Sequence, residues 1–456
     1  MMTRRHLLGS GAATMLSAAL PVHAAAAEDV PKTLPKWRKG VFQIHMIHTG
    51  VGESQFLIFP DGTTMLLDCG DHAALTRGEL AVPVVPDPGR LAGEWIARYV
   101  KRVNPNGDIV DYMEASHWHS DHCGTPKWQS SAPGVEWWKH DYCRSGFGLA
   151  AEQLHFKKAI DRGWPTFDDP IPLNDSGGAL DHMKRLYRHL QKRDALLIEK
   201  FRLGARDQVV PARGTAKDFS VFNLCANGKV ALPDGSVMNV YEEFFADGKK
   251  PGRLNENGMS LGHIFTYGDF SYFTAGDFSD RVKLPDGSSR DIETLLAQAV
   301  GPVEVAKMNH HGHWSMPEAL ISALRPQVWL AGIWDQLHTV PNTLERISDR
   351  AYYGGRQNVL VCPGVFPEPR LTKEAQAPYF KDIVPECHGK GCHTVITVPE
   401  GGKTFSVSFV SAADESMTVH GIRLLSSKNR HPSIQEHEEA GLLDLQNNAI
   451  SDFLNL

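Results

Sequence analysis

The residues with the clearest capacity for chemistry form one short run, His117-Trp118-His119-Ser120-Asp121-His122, with four metal-ligand side chains in six positions. His117 and His119 stand two apart, just after an apolar stretch over 109–115 that reads as a strand. A strand's period of two points both imidazoles to one side, where both can bind one cation. Asp121 and His122 follow where the chain turns, within reach of a second cation. A lone histidine is usually a core or surface residue, but this constellation predicts a metal site.

Two later segments have matching character. Thr274-Ala275-Gly276-Asp277 puts a carboxylate after a glycine at the end of a predicted strand. The backbone can approach closely there, and the carboxylate can bridge two ions. His310-His311-Gly312-His313 follows a predicted strand over 303–309. Imidazoles and carboxylates together suit Zn2+, as one or two ions, with Mn2+ or Fe as alternatives. Asp121 would orient the attacking hydroxide as well as ligate. His313 or His338 would contact a substrate phosphate or protonate the leaving group.

The elements that must position these residues are legible from periodicity. Strands are expected over 41–48, 55–59 and 64–68, with Pro60-Asp61-Gly62 as a turn. A helix is expected over 91–103, where Leu91, Trp95, Ile96, Tyr99 and Val100 share a face. Further helical spacing is read near 150–160 and 182–199. Strands are expected at 219–224, 263–267, 271–275, 303–309, 327–333 and 358–362, and helices near 317–324 and 343–352. A final hairpin spans 394–398 and 404–409. Strand pairs followed by strand–helix alternation predict an α/β fold of two sheets with helices outside. The irregular stretch at about 130–250 reads as an insertion or a substrate-facing cap, with Trp137 and Trp138 more suited to packing than to lining a pocket.

The motifs arrive in an order that resembles the metallo-β-lactamase superfamily. Within it they resemble the hydrolase domain of ComEC-type competence proteins and related secreted phosphodiesterases. The likeness covers about residues 40–410. His48-Thr49-Gly50-Val51-Gly52-Glu53-Ser54 resembles that group's D-V-G-Q-G-D segment, with His48 and Glu53 at the aspartate positions. Leu66-Leu67-Asp68-Cys69-Gly70 resembles the superfamily's first motif, which implies that Asp68 supports the metal ligands rather than binding an ion itself. Asn257-Gly258-Met259-Ser260-Leu261 resembles N-x-S-L, and Gln336-Leu337-His338 resembles G-H-P. The resemblance implies an αββα sandwich. It implies that His117 and His119 hold one ion, and that Asp121, His122 and one of His310 and His311 hold the second. Asp277 would bridge. His311 is favoured because the last metal histidine of the superfamily is commonly followed by glycine. The further histidine many members carry is missing near Asn255-Glu256-Asn257, which leaves the first ion with fewer ligands.

The 456-residue chain has 22 histidines and a formal charge of -6, so composition offers no basic nucleic-acid surface. Seven scattered cysteines include no C-x-x-C pair, and Cys387 and Cys392 are close enough to form a loop disulfide. Residues 1–27 read as a twin-arginine signal: Thr3-Arg4-Arg5-His6-Leu7-Leu8, a short apolar stretch, then Ala24 to Ala27. The expectation is export by the twin-arginine machinery to a periplasmic or secreted location, with no transmembrane anchor in the mature form. The expected domain covers 38–412, with a C-terminal tail at 413–456. The expected activity is hydrolysis of a phosphodiester, with nucleic acid a partner only as substrate. The rival readings are a lactonase or β-lactamase-like amide hydrolase, an iron oxygenase on the same fold, and a non-catalytic exported binding protein.

Overall fold

The structure is a computed structural model that describes residues 31–71, 82–124, 138–139, 142–171, 178–239, 241–242, 254–279, 281–283, 289–354, 359–362, 364–365 and 391–427. The signal sequence, Trp137, Cys387 and the last part of the tail lie outside the described residues, as does the side chain of Trp138.

Alternation along the strands makes two large sheets that share one core. The first has nine strands among the described residues. Their order is Val419–Ser426, Thr404–Ser411, Cys392–Val398, Phe42–Met46, Ser54–Ile58, Thr64–Cys69, Ile109–Glu114, His155–Asp161 and Leu197–Lys200. The second has eight, ordered Val237–Asn239, Lys229–Ala231, Phe219–Ala226, Gly262–Tyr267, Phe270–Thr274, Val305–Lys307, Val328–Leu330 and Leu360–Cys362. Each sheet mixes antiparallel hairpins with parallel pairs.

Phe42, Ile44, Leu57, Met65 and Leu67 face Val221, Phe265, Tyr272, Val305 and Leu330 in the layer between the sheets. Burying each such side chain contributes about 1.5–3 kcal/mol. Helix Ala92–Val103 buries Trp95, Ile96, Tyr99 and Val100 on the outer face of the first sheet. Glu94 in its first turn and Lys101 and Arg102 in its last suit the helix dipole. Helix Ala179–Asp194 covers the same face through Leu186 and Leu190. Helices Glu318–Leu324 and Pro341–Ser348 cover the second sheet through Leu320, Ile321, Leu344 and Ile347. The architecture is therefore helix, sheet, sheet, helix.

Three expectations change. The segment at 130–250 is no separate cap, since it builds part of both sheets. Residues read as helical at 150–160 contain strand His155–Asp161, parallel to Ile109–Glu114. Phe156 and Ile160 stand four apart, a spacing that imitates a helix, and pairing with a neighbouring strand overrides it. Residues past 412 are not all tail. Strand Val419–Ser426 pairs with Thr404–Ser411 at the edge of the first sheet, and Glu415 binds Arg98 and Arg102 of the first helix.

Candidate metal centre

The ends of strands from both sheets converge on one buried cluster. After strand Ile109–Glu114 the chain leaves the sheet and forms a single helical turn, Ser120–Cys123, that carries Asp121 and His122. Two glycines allow this approach. A Cβ on Gly70 would lie 1.8 Å from the carbonyl oxygen of Asp121, and one on Gly276 would lie 2.7 Å from Ser116 Oγ. The Glu53 N–H donates to that Asp121 carbonyl at 2.7 Å, which ties the turn to the first sheet.

Asp121, His122, Asp277 and His311 meet at the centre, all buried. His311 Nε2 lies 3.2 Å from Asp121 Oδ2 and 3.3 Å from Asp277 Oδ2. His122 Nε2 lies 3.5 Å and 3.2 Å from the same two oxygens. A tetrahedral ion with ligand bonds of about 2.0–2.1 Å sets its donors about 3.3–3.4 Å apart. The cage therefore matches the size a Zn2+-like ion requires. His122 Nε2 is buried and makes no well-aligned hydrogen bond, with the Asp277 carboxylate 3.2 Å away.

Outer partners fix these ligands. Asp68 Oδ2 accepts from His122 Nδ1 at 2.8 Å, while Asp68 Oδ1 accepts the Ser116 N–H at 2.6 Å. Glu53 Oε2 lies 3.2 Å from His311 Nδ1 and 3.1 Å from Lys307 Nζ. Lys307, wholly buried, also approaches Asp277 Oδ1 at 3.3 Å, so Asp277 turns its other oxygen to the histidines. Burial opposes charge on His122 and His311, but the carboxylates outweigh it and hold both well above the ordinary histidine value. Burial likewise opposes ionisation of Asp121 and Asp277, yet His122 and His311 hold both well below the usual carboxylate range.

His117 and His119 sit beside this cage, past the strand end. Their rings meet at 4.7 Å, with His117 Nε2 3.1 Å from His119 Nδ1 and 4.0 Å from Asp277 Oδ2. Trp118 between them is locked from behind. Its backbone N–H donates to Glu256 Oε1 at 3.1 Å, and Arg162 lies over its ring at 3.9 Å while pairing with Glu256. His263 takes no part here, because it is held by Glu114 at 2.9 Å between the sheets.

His310 and His311 diverge because both adopt left-handed backbone in a loop held by Glu293. His311 enters the cage. His310 turns to Asn257 Nδ2 at 3.1 Å and Ser279 Oγ at 3.2 Å, and burial lowers its value to about 4. His338 stacks on His311 with ring centroids 4.8 Å apart, and His313 meets His338 at 5.3 Å. These two imidazoles line one wall next to the cage rather than joining it. Trp334 completes that wall, and its Nε1 donates to His311 Nε2 at 3.1 Å.

Sequence reasoning missed Lys307, Trp334 and the Arg162–Glu256 lock. Only Lys307 left a signal: a lysine inside the apolar run of Val305–Lys307, where a charge needs buried partners. Set against family models and curated proteins, the chain matches none.

Proposed function

We propose that this chain is a hydrolase of the metallo-β-lactamase superfamily that uses Zn2+, or Mn2+ or Fe in its place, to cleave a phosphodiester. The supporting observation is the four-donor cage of Asp121, His122, Asp277 and His311, whose spacing suits a tetrahedral ion. This set would fill first. A second ion would rest on His117, His119 and Asp277, where His117 stands 4.0 Å from the shared carboxylate. When bound, such ions supply Lewis-acid activation of water and of a substrate oxygen.

The chain's own residues do the rest. Asp121 orients the nucleophile. His313 and His338 line the wall where the leaving group departs. Glu53 and Asp68 fix the ring orientations of His311 and His122 through their Nδ1 atoms. Residues 1–27 support export by the twin-arginine route to the periplasm or beyond. No described helix is long and apolar enough to cross a membrane.

The test joins elemental analysis of the mature protein to turnover of bis-p-nitrophenyl phosphate, an aryl lactone and a chromogenic β-lactam. Bound metal with chelator-sensitive diester cleavage is expected. Cleavage of only the lactone or the β-lactam would replace the phosphodiester with carboxyl chemistry. Bound metal with no turnover of any of the three would favour an exported binding protein, and iron with thiol-dependent oxygen uptake an oxygenase.

A further inference from the structure

Trp314 is the most exposed large apolar side chain among the described residues, at 72%. Leu197, Val237 and Leu424 are exposed because they lie on the outermost strands of the two sheets. Trp314 lies elsewhere, next in the chain to His313 of the wall beside the cage. Rings link it to the cage without a break. His311 stacks on His338 at 4.8 Å, His338 meets His313 at 5.3 Å, and His313 meets Trp314 at 6.0 Å. Burial falls along this path: His311 and His338 are buried, His313 is half-buried, and the indole stands in water. The backbone holds it there. Trp314 is left-handed at φ 53, a conformation that favours glycine and that other residues keep where the surrounding chain enforces it. The next residues are buried and tied down. Ser315 Oγ donates to the Asn309 carbonyl at 2.6 Å, the Met316 N–H donates to Glu293 Oε2 at 3.1 Å, and Arg346 donates to the Ser315 carbonyl at 2.8 Å.

We infer that Trp314 is a substrate-binding platform, its indole stacking on a planar aromatic ring that the substrate carries beyond the bond to be cleaved. Three ring contacts separate the indole from His311, so its partner is not the group at the metal but an arm two imidazoles further out. An open aromatic face gains from a second flat ring an attraction beyond the area buried, and an aliphatic chain gains the area alone. The anchored backbone leaves little freedom to lose when the rings meet. The inference rests on the hydrolase reading above and adds to it a substrate class: an ester with an extended, flat-ended arm.

The experiment uses the full chain loaded with zinc, uptake being read by competition with a chromophoric chelator. Methylphosphonate, 4-phenylbutylphosphonate and 4-cyclohexylbutylphosphonate are then titrated calorimetrically. Trp314→Ala should take up zinc as the parent does. It should bind methylphosphonate within about twofold of the parent and 4-phenylbutylphosphonate about tenfold more weakly. The loss for the cyclohexyl compound, apolar but not flat, should be smaller. Trp314→Phe keeps a ring to stack on and should recover most of the phenyl affinity. Its missing indole signal assigns the Trp314 resonance in 15N spectra of the parent. That resonance should move as the phenyl compound is added and stay in place with methylphosphonate, which decides the matter if the alanine variant does not fold. Unchanged phenyl affinity in Trp314→Ala and an unmoved indole signal overturn the role of Trp314 and leave the metal centre standing. Equal losses for the phenyl and cyclohexyl compounds overturn the planar ring. No zinc uptake by the parent overturns the metal centre and the inference together.

Discussion

His45, His48 and His393 lie together against Tyr99 of the first helix, nearly as buried as His117, His122 and His311 at the strand ends. The partners of the first group are a phenol, an amide and another imidazole: Tyr99 OH at 3.0 Å and Gln43 for His45, and His393 Nδ1 for the His48 N–H. Burial alone then drives His45 down to about 3 and His48 to about 4. In the second group Asp68, Asp121 and Asp277 reverse the sign for His122. Burial makes a histidine neutral; carboxylates around it make a cation site. The same side chain thus fills a core in one place and joins a cluster that could hold a metal ion in another.

Exchanging one histidine from each group tests this most severely. His122→Ala should weaken zinc binding by at least about 100-fold, more than the loss typical of an outer partner. His45→Gln should leave it within about twofold, since no cage donor touches His45. A chelator-competition titration of both variants measures the contrast. Equal losses would mean that the cage is not the binding site.

Asp68→Asn keeps the shape and removes the charge that holds His122 Nδ1 at 2.8 Å. Zinc affinity should fall about 10–100-fold. The fold should persist, with far-ultraviolet circular dichroism unchanged. An affinity equal to the parent's would show that His122 is oriented by packing rather than by its carboxylate.

Acid should act on the neutral group. In the unfolded chain histidine titrates near 6.5, and the folded values of His45 and His48 are about 3 and about 4. Between these limits the unfolded state binds more protons, so stability is complete above about pH 6.5 and is lost as pH falls toward 4. Each group contributes a slope of about 1.4 kcal/mol per pH unit. Urea midpoints from pH 7 to 4.5 should trace this slope, and His45→Gln should flatten it. A parent curve already flat over that range would remove the burial argument.

Much of this contrast was legible beforehand, and the reason is local. His117 to His122 lie in one short run that spacing gathers, whereas Asp277 and His311, each after a strand and beside a glycine, joined it through their order along the chain and the resemblance to the superfamily. The inner strands and the helix Ala92–Val103 were legible for the same reason: their apolar spacing is regular and they are covered on a known face. What could not be read depends on partners far away in sequence. Strand His155–Asp161 exists because Ile109–Glu114 pairs with it, and its own spacing resembles a helix. Glu53, Lys307 and Trp334 become meaningful only when both sheets bring them against His311. His310 and His311 are identical in type, and although the resemblance favoured His311, the contacts of His310 with Asn257 and Ser279 are visible only in the fold.

The smallest effect sharpens the comparison from the solvent side. Glu415 pairs with Arg98 and Arg102 much as Asp68 pairs with His122, but it remains about 30% exposed. Water already solvates both charges there, so their attraction is screened and two long side chains must be ordered to realise it. Glu415→Gln should therefore cost no more than about 1 kcal/mol, less still in high salt. Urea unfolding at low and high ionic strength measures it. A loss several times larger would mean that the pair anchors strand Val419–Ser426 to the first helix, and that exposure is a poor guide to which carboxylates matter in this fold.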